Sequence, residues 1–309
     1  MSVLVAADFD ADEWALWWPA LQAALPNEHL VRDRAEAAMI DVALVANPAV
    51  GALQGLTQLR LIQSLWAGVD KLLTDPSVPA DVPLARMVDP SMNEAMAETA
   101  LWAVLSLHRG FFAYAARQRA GQWRGHAQCG ADEVTVAVLG LGQMGRTAAL
   151  RLAHNGYRVL GWSTRETRLD GVATFAGEPG LSQVLAAAQI VVNLLPLTPA
   201  TRGLFNTTTL AAMPRGASLV NLARGAHVVE AELLAALDSG HLHHAVLDVF
   251  AVEPLPPAHP FWTHAKVTML PHVAAQTDVR SAVRIVANKL RALREGRALN
   301  DLVDRQRGY

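Results

Sequence analysis

The chain has 309 residues, of which 52% are hydrophobic and 17% are charged, so it is long enough for two domains with large cores and is not expected to be disordered. Its net charge of −2 comes without a basic stripe suited to nucleic acid, and its N-terminus lacks the pattern of a signal peptide, so the cytoplasm is the expected location. The single cysteine, Cys129, argues against a disulfide framework and a cysteine zinc site, no metal is expected, and no apolar run is long enough to cross a bilayer.

The first part of the chain alternates between short apolar strands and helical patterns. Strands are predicted at SVLVAADF, DVALVANP, LRLIQSL and VPLARMVD. A helix is predicted at DEWALWWPALQAAL, with Pro19 as a point where it could break. Apolar strands that are joined by helical connections predict a parallel sheet covered on both faces.

One long helical pattern separates this part from a second alternation. It runs through NEAMAETALWAVLSLHRGFFAYAARQRAGQW and exceeds an ordinary globular helix, so we expect a helix that connects two domains. Strands are then predicted at EVTVAVLG, YRVLGWS, IVVNLLP, SLVNLA and HHAVLDVF, and helices at QMGRTAALRLAHNG and VEAELLAALDSG. The last helical pattern, TDVRSAVRIVANKLRALREG, is expected to pack on the first domain.

The stretch VAVLGLGQMG contains the pattern G-x-G-x-x-G at a predicted strand-to-helix junction. Gly140 permits a tight turn, Gly142 allows the backbone to approach a pyrophosphate, and Gly145 allows close packing of helix on strand. The N-terminus of the helix then faces the anion. The bare pattern is weak evidence, but the strand before it and the helix after it supply the required context, so a dinucleotide site is predicted.

The next strand ends in GWSTRETR, near the position where a dinucleotide-binding fold places a carboxylate for the adenosine ribose. Ser163 occupies that acidic position, and Thr164, Arg165, Glu166 and Arg168 follow it. A hydroxyl in place of a carboxylate does not repel a 2′-phosphate, and Arg165 or Arg168 can pair with one. This predicts a preference for NADPH, with NADH as the alternative cofactor, and with Glu166 turned away or paired with an arginine. The other interpretation is a solvated loop that does not select the cofactor.

Three later stretches, NLARGAHVVE, LDVFAVEPLPP and MLPHVAAQT, carry a polar residue at or beyond the end of a predicted strand. Arg224 can bind a carboxylate through two parallel hydrogen bonds. Glu253 precedes a proline, and His272 lies in apolar surroundings. Each residue alone has an ordinary explanation, as a surface charge, a loop residue or a packed histidine. Ligands of open α/β sheets, however, bind at this edge.

The motifs NLARG, DVFxxEP and PHxA, in this order after G-x-G-x-x-G, resemble those of the D-2-hydroxyacid dehydrogenases, and LWAGVD resembles the substrate-carboxylate loop of that family. The resemblance covers nearly the whole chain. It implies two doubly wound parallel-sheet α/β domains: a flavodoxin-like substrate domain, residues 1–98 and 277–309, and a Rossmann cofactor domain, residues 99–276, inserted into it. It also implies a homodimer, with a small molecule rather than nucleic acid or a membrane as the ligand.

The resemblance further implies that the chain reduces a small 2-ketoacid, such as glyoxylate or hydroxypyruvate, to the 2-hydroxy acid with NADPH. His272 would donate the proton as general acid, Glu253 would orient its ring, and Arg224 would bind the substrate carboxylate. The implied substrate-binding residues are Trp66, Ala67, Gly68 and Val69. The implied cofactor-binding residues are Gly140, Gly142, Gln143, Met144, Gly145, Ser163, Thr164, Arg165, Arg168, Leu195, Pro196, Thr198, Leu222, Ala223, Asp248 and Ala274, with Asp248 on the nicotinamide carboxamide.

Trp66 departs from the family, which commonly has a small residue there. It is either a wall that narrows the pocket or a residue that packs beneath the loop. A reductase for a bulkier 2-ketoacid such as phenylpyruvate is therefore an open alternative. The other alternative is a nicotinamide-sensing binding protein without turnover, against which the full set of Arg224, Glu253 and His272 argues.

Overall fold

Two compact units make up the chain in this computed structural model, which describes residues 1–308. The discontinuous unit comprises residues 1–92 and the described residues from 277 onward, and the central unit comprises residues 93–276. Each unit contains one parallel β-sheet. No helix within residues 1–308 has the length and apolar character needed to cross a membrane.

The secondary structure alternates between strands and helices in both units. The strands are β1 Ser2–Ala7, β2 His29–Val31, β3 Ile40–Ala46, β4 Leu61–Ser64, β5 Leu84–Ala85, β6 Thr135–Leu139, β7 Arg158–Ser163, β8 Ala173–Ala176, β9 Ile190–Asn193, β10 Ala217–Asn221, β11 Leu242–Leu247 and β12 Val267–Met269. The helices are α1 Ala11–Ala24, α2 Asp70–Thr74, α3 Pro90–His108, α4 Phe111–Arg119, α5 Gln143–His154, α6 Gly177–Ala187, α7 Thr207–Ala211, α8 Glu230–Asp238 and α9 Val279–Arg294.

The sheet of the discontinuous unit has five parallel strands in the order β2-β1-β3-β4-β5. This is the flavodoxin-like order. Strands β3 and β4 are buried along their whole length, as expected for parallel strands that are covered on both faces. Helix α9, the last helical pattern of the sequence, packs against α1 in this unit.

The sheet of the central unit has seven parallel strands in the order β12-β11-β10-β9-β6-β7-β8. Val136 and Val138 of β6 belong to one hydrophobic cluster, whereas Ala137 and Leu139 belong to another. Successive side chains of a strand point to opposite faces, so both faces of this sheet are covered. The order is that of a Rossmann fold with one further strand, with the switch point between β6 and β9. The predicted fold class is confirmed.

Several details differ from the expectation. The single long helix was wrong: α3 and α4 are separate helices, because Gly110 adopts a left-handed conformation with φ of 69° between them. Pro19, in contrast, lies inside α1 without breaking it. The edge strands β2 and β8 were not predicted, and β12 was implied only as the strand before His272, since a strand of three or four residues carries little periodic signal.

An ion-pair cluster connects α9 to the sheet of the discontinuous unit. Arg294 donates hydrogen bonds to both carboxylate oxygens of Glu28, at 2.9 and 2.7 Å, and it also contacts Asp41 of β3. The Asp41 side chain is only 4% exposed. The hydrogen bonds to Glu28 and Asp41 raise the pKa of Arg294. Removing one partner from such a buried cluster leaves an uncompensated charge.

We therefore expect Arg294→Ala to destabilise the protein by about 3 kcal/mol, which corresponds to a thermal midpoint roughly 10 °C lower. Arg297→Ala is the matched control, because Arg297 pairs with Glu295 where both side chains are half exposed. An exposed pair contributes at most about 1 kcal/mol. Thermal unfolding of both variants measures the difference, and equal midpoints would refute the role given to the Arg294 cluster.

Candidate active site

The predicted cofactor and catalytic residues of the central unit follow the carboxyl ends of six strands. Gly140, Gly142, Gln143, Met144 and Gly145 follow β6; Ser163, Thr164, Arg165 and Arg168 end or follow β7; Leu195, Pro196 and Thr198 follow β9; Leu222, Ala223 and Arg224 follow β10; Asp248 and Glu253 follow β11; and His272 and Ala274 follow β12. These six strands are neighbours in one parallel sheet, so their carboxyl ends lie at the same edge. The structure thus gathers all these residues along that edge.

The glycine loop between β6 and α5 is tightly packed on one side and open on the other. A Cβ atom at Gly145 would lie 1.7 Å from the carbonyl oxygen of Gly140, so only glycine allows α5 to pack this closely on the end of β6. A Cβ atom at Gly142 would meet nothing within 4 Å. Gly142 is the N-cap of α5 and offers no side chain to cap it. The first N–H groups of this helix are therefore suited to an anion.

The loop after β7 turns back on itself through its own hydroxyl groups. Ser163 Oγ donates to the carbonyl oxygen of Arg165 at 2.6 Å and also contacts Thr167 Oγ1 at 3.2 Å. The side chain of Arg165 is exposed. Arg168 Nε lies 3.5 Å from Asp170, where both side chains are almost fully exposed. Glu166 is exposed and has no ion pair among residues 1–308.

The loop after β9 is closed by a threonine. The hydroxyl of Thr201 donates to the carbonyl oxygen of Pro196 at 2.7 Å and accepts the N–H of Thr198 at 2.8 Å. These two hydrogen bonds give the segment Leu195–Thr198 a defined turn at the carboxyl edge.

His272 and Glu253 form a hydrogen-bonded pair at this edge. His272 Nδ1 donates to Glu253 Oε2 at 2.8 Å, while Glu253 Oε1 accepts the N–H of Phe250 at 2.9 Å. Burial opposes ionisation of Glu253, but these hydrogen bonds and the charge of Arg224 outweigh it and lower the pKa of Glu253. The carboxylate is therefore ionised at neutral pH. Because Nδ1 is engaged, Nε2 is the ring nitrogen that can exchange a proton with a ligand.

Arg224 lies at the end of β10, where the chain makes a close approach to the segment that leads to Glu253. Its Nη1 donates to the carbonyl oxygen of Ala223 at 2.7 Å. A Cβ atom at Gly225 would lie 1.8 Å from the carbonyl carbon of Phe250, so only glycine permits this approach. The glycine that follows Arg224 is thus needed for packing, and it brings the guanidinium to the same edge as the His272 pair.

Asp248 holds the backbone around His272. His272 adopts a left-handed conformation with φ of 56°, which is uncommon for a residue other than glycine. The carbonyl oxygen of Asp248 accepts the His272 N–H at 2.8 Å, and its carboxylate accepts the N–H groups of Val273 and Ala274 at 2.7 and 3.1 Å. Burial raises the pKa of Asp248 against the opposing effect of these bonds. The sequence analysis assigned Asp248 to the cofactor but did not foresee this backbone role.

The predicted substrate loop, Trp66–Val69, lies in the discontinuous unit between β4 and α2. Ser64 Oγ accepts the N–H of Trp66 at 3.0 Å and donates to its carbonyl oxygen at 2.9 Å, so the start of the loop is fixed. The indole of Trp66 packs edge-to-face against Phe9 and Trp17, with centroid distances of 6.1 and 5.7 Å. These contacts favour packing beneath the loop over a pocket wall.

Three buried polar residues at the same edge were missed by the sequence analysis: Asn193, Asn221 and His227. The available signal was an asparagine at the end of each of two apolar strands, in IVVN and ASLVN. No group of three or more His, Cys, Asp or Glu residues that could hold a metal ion occurs within residues 1–308.

Comparisons with known proteins show which family the chain belongs to. Residues 101–274 match the family model described as D-isomer specific 2-hydroxyacid dehydrogenase, NAD binding domain. The chain is 37% identical over 307 residues to a glyoxylate/hydroxypyruvate reductase A of Yersinia enterocolitica and 39% identical to one of Serratia proteamaculans, each match covering 97% of both sequences.

Two solved structures are similar along the whole chain. A D-isomer specific 2-hydroxyacid dehydrogenase from Xanthobacter autotrophicus, in complex with NADPH and MES, is 40% identical with a TM-score of 0.94, and the match covers 100% of this chain and 99% of that one. An NADPH-dependent glyoxylate/hydroxypyruvate reductase from Sinorhizobium meliloti, in complex with NADP and sulfate, is 37% identical with a TM-score of 0.93 over the full length of both chains. The predicted resemblance is confirmed, and the chain belongs to the D-isomer specific 2-hydroxyacid dehydrogenase family.

Proposed function

We propose that this family member reduces a small 2-ketoacid, such as glyoxylate or hydroxypyruvate, to the corresponding 2-hydroxy acid with NADPH. The observation that carries the proposal is the hydrogen-bonded pair of His272 and Glu253 at the same sheet edge as Arg224. An acid, its orienting carboxylate and a carboxylate-binding cation are the groups that this reduction requires. The names of the relatives, glyoxylate/hydroxypyruvate reductase A, support the substrate class.

His272 supplies the proton in this proposal. Glu253 accepts from Nδ1, so it sets the orientation of the ring and places a negative charge beside it. Nε2 of the imidazolium then donates its proton to the oxygen of the ketoacid carbonyl as that oxygen gains negative charge. The left-handed backbone of His272, fixed by Asp248, keeps the ring at the carboxyl edge.

Arg224 binds the substrate in this proposal. Its planar guanidinium can hold a carboxylate through two parallel hydrogen bonds and can polarise the neighbouring carbonyl. In the discontinuous unit, the backbone N–H groups of Gly68 and Val69 are the proposed substrate donors, and Trp66 and Ala67 belong to the same loop. The indole of Trp66 packs on Phe9 and Trp17. Its position therefore does not decide between small and bulky ketoacids, and the proposed preference for small ones rests on the names of the relatives.

The residues of the glycine loop fit a dinucleotide. The uncapped N-terminus of α5 and the open space at Gly142 suit the pyrophosphate, with Gln143 and Met144 supplying N–H groups. The cofactor, when bound, supplies the hydride that reduces the carbonyl carbon. Asp248 binds the carboxamide with the acceptor capacity that its two backbone hydrogen bonds leave. Contacts from Leu195, Pro196, Thr198, Leu222, Ala223 and Ala274 complete the proposed cofactor set.

We propose NADPH rather than NADH as the preferred cofactor. Ser163 stands where an acid would repel the 2′-phosphate, and the exposed side chain of Arg165 is available to it. Arg168 is the second candidate, because its contact with Asp170 is long and exposed. Thr164 belongs to the same loop. The complexes of two similar proteins with NADPH and NADP support this choice.

The proposal includes a homodimer and a cytoplasmic location. Large hydrophobic side chains are exposed in one stretch of the chain: Trp102 of α3 is 40% exposed, Phe111 of α4 is 53% exposed, and Trp123 beyond α4 is fully exposed. Neighbouring exposed apolar residues of this size are typical of an interface. In functional terms, the discontinuous unit is the proposed substrate domain and the central unit the proposed cofactor domain.

The role of the acid predicts a pH dependence. His272→Ala should lower kcat/KM for reduction by about 10²- to 10⁴-fold. Reduction requires the imidazolium, so activity should fall as pH rises. Glu253→Gln removes the negative charge and the acceptor beside the ring, so the pH dependence of kcat/KM should change. The pH profile of kcat/KM measures both effects.

Asp238→Asn is the matched control for Glu253→Gln. Asp238 also pairs with a histidine, His264, at 3.1 Å, but this pair lies near the amino end of β12, away from the carboxyl edge. The pH profile of the control should equal that of the wild type. An unchanged profile in Glu253→Gln would remove Glu253 from the mechanism.

The role of Arg224 predicts that Arg224→Lys is not conservative. Lysine keeps the charge but loses the planar pair of donors. Losing one hydrogen bond to a charged group costs roughly 1.5–3 kcal/mol, so kcat/KM for glyoxylate should fall about 10- to 150-fold with little change in the thermal midpoint. Arg215→Lys, an exposed residue before β10, is the control. Near-normal activity of Arg224→Lys would show that Arg224 is not the carboxylate ligand.

The loop after β7 predicts cofactor selection. Arg165→Ala should weaken NADPH binding by about 10- to 150-fold and leave NADH binding nearly unchanged. Ser163→Asp should move the preference toward NADH, because its carboxylate repels the 2′-phosphate. The measurement is kcat/KM for both cofactors, with Arg215→Ala as the control. A wild type that uses both cofactors equally and responds to neither substitution would contradict the assignment.

A further inference from the structure

Three polar side chains without solvent exposure lie at the carboxyl ends of two central strands. Asn193 is the last residue of β9, Asn221 is the last residue of β10, and His227 lies in the short helical turn that follows Arg224. All three are 0% exposed. Burying polar groups is unfavourable unless each donor and acceptor finds a partner. The hydrogen bonds of these three side chains therefore indicate the role of the cluster.

Asn193 lies at the centre of the cluster. Its Nδ2 donates to Asn221 Oδ1 at 2.9 Å and to His227 Nδ1, also at 2.9 Å. Its Oδ1 accepts the N–H of Leu195 at 3.3 Å. A backbone N–H can only donate, so the amide of Asn193 has one possible orientation, and both of its protons are engaged.

Asn221 extends the cluster to Arg224. Its Oδ1 accepts the N–H of Ala223 at 3.3 Å as well as the Asn193 proton, and its Nδ2 donates to the carbonyl oxygen of Arg224 at 2.9 Å. A backbone carbonyl can only accept, so this amide orientation is also determined. Asn221 thus forms hydrogen bonds with the main chain of both Ala223 and Arg224, just beyond the end of β10.

His227 closes the cluster as a neutral ring. Since its Nδ1 faces an amide donor of Asn193, that nitrogen must accept. The proton of the neutral ring is therefore on Nε2, which donates to the carbonyl oxygen of Pro196 at 3.3 Å. An imidazolium would place an N–H against the amide protons. Nδ1 of His227 thus accepts a hydrogen bond, whereas Nδ1 of His272 donates one to a carboxylate.

We propose that Asn193, Asn221 and His227 form a positioning network that sets the orientation of Arg224 toward the substrate and the course of the Leu195–Pro196 loop. Within the network, Asn221 donates to the carbonyl oxygen of Arg224 and His227 donates to that of Pro196. Both side chains are joined through Asn193. The proposal rests on the role of Arg224 in the proposed function.

The turn that carries Arg224 is closely packed, and the network fixes it to two neighbouring segments. Gly225 lies against Phe250 so closely that a Cβ atom would overlap it, at 1.8 Å from its carbonyl carbon. Asn221, at the end of β10, donates to the Arg224 carbonyl oxygen, and His227, within the turn, donates to the Pro196 carbonyl oxygen in the loop after β9. A displacement of about 1 Å in a substrate-positioning group costs on the order of 100-fold in rate.

A purely structural role would affect stability without acting through Arg224. His244→Phe provides the matched control, because His244 is also buried in the central unit, at 6% exposed. Its partners, Thr268 Oγ1 at 2.9 Å and the ring of Phe112, lie outside the turn that carries Arg224 and outside the loop after β9. The test compares His227→Phe, His227→Asn and His244→Phe in the full-length protein. For each variant, kcat and KM for glyoxylate with NADPH are measured together with the thermal midpoint.

We expect His227→Phe to lower kcat/KM by roughly 10- to 100-fold, while His244→Phe with a similar thermal midpoint changes it less than about 3-fold. His227→Asn keeps an acceptor for Asn193 and should recover part of the activity. If His227→Phe does not fold, Asn221→Ser replaces it, since serine removes the bond to the Arg224 carbonyl in a smaller side chain; the same loss is expected.

A double-mutant cycle with Arg224→Lys separates this inference from the proposed function. If the network acts through Arg224, adding His227→Phe to Arg224→Lys should cost no more than about 3-fold, because the interaction is already lost. Independent, multiplying losses would overturn the network while leaving Arg224 as the substrate ligand. Equal effects of His227→Phe and His244→Phe would overturn it too. Full activity of Arg224→Lys alone would overturn both.

Discussion

The parallel register of the seven-stranded sheet is the constraint on which the candidate site depends. Because all six strand pairings run in the same direction, the chain leaves six neighbouring strands at one edge. The glycine loop, the loop with Ser163, and the segments with Arg224, Glu253 and His272 all begin there. Residues far apart in sequence therefore share one edge of the sheet. The order of the strands from β12 to β7 sets the order of these residues along that edge, from His272 to Ser163.

Local backbone strain at His272 is balanced by nearby hydrogen bonds. A non-glycine residue in the left-handed region costs of order 1–3 kcal/mol and persists only when its surroundings determine it. Asp248 provides such surroundings, because its carbonyl oxygen and its carboxylate accept three successive backbone N–H groups from His272 to Ala274. Glu253 then orients the ring. One acidic residue, Asp248, thus positions the backbone of His272, and another, Glu253, positions its side chain.

The two ends of the proposed cofactor region differ in how tightly their loops are packed. At the pyrophosphate end, Gly145 packs directly on Gly140, so the loop has one arrangement. At the adenosine end, Ser163 folds the loop by bonding the Arg165 carbonyl, while the arginine side chain is exposed. An exposed cation contributes charge at little structural cost, and a hydroxyl in place of an acid does not repel a phosphate. The proposed selection of the cofactor therefore depends on side chains that the fold does not require.

The sequence by itself determined the fold class and the main residues of the site. Apolar strand runs, the glycine pattern and polar residues just beyond strand ends are local signals, and the resemblance of the motifs to a family singled out Arg224, Glu253 and His272 as candidates. Only the tertiary structure decided the break at Gly110, the short edge strands, the packing of Trp66 on Phe9 and Trp17, and the cluster of Asn193, Asn221 and His227. The physical reason is the range of the interactions. Periodicity and turn preference act over a few residues, whereas an amide or an imidazole becomes a structural centre only when folding places a donor from one strand beside an acceptor from another.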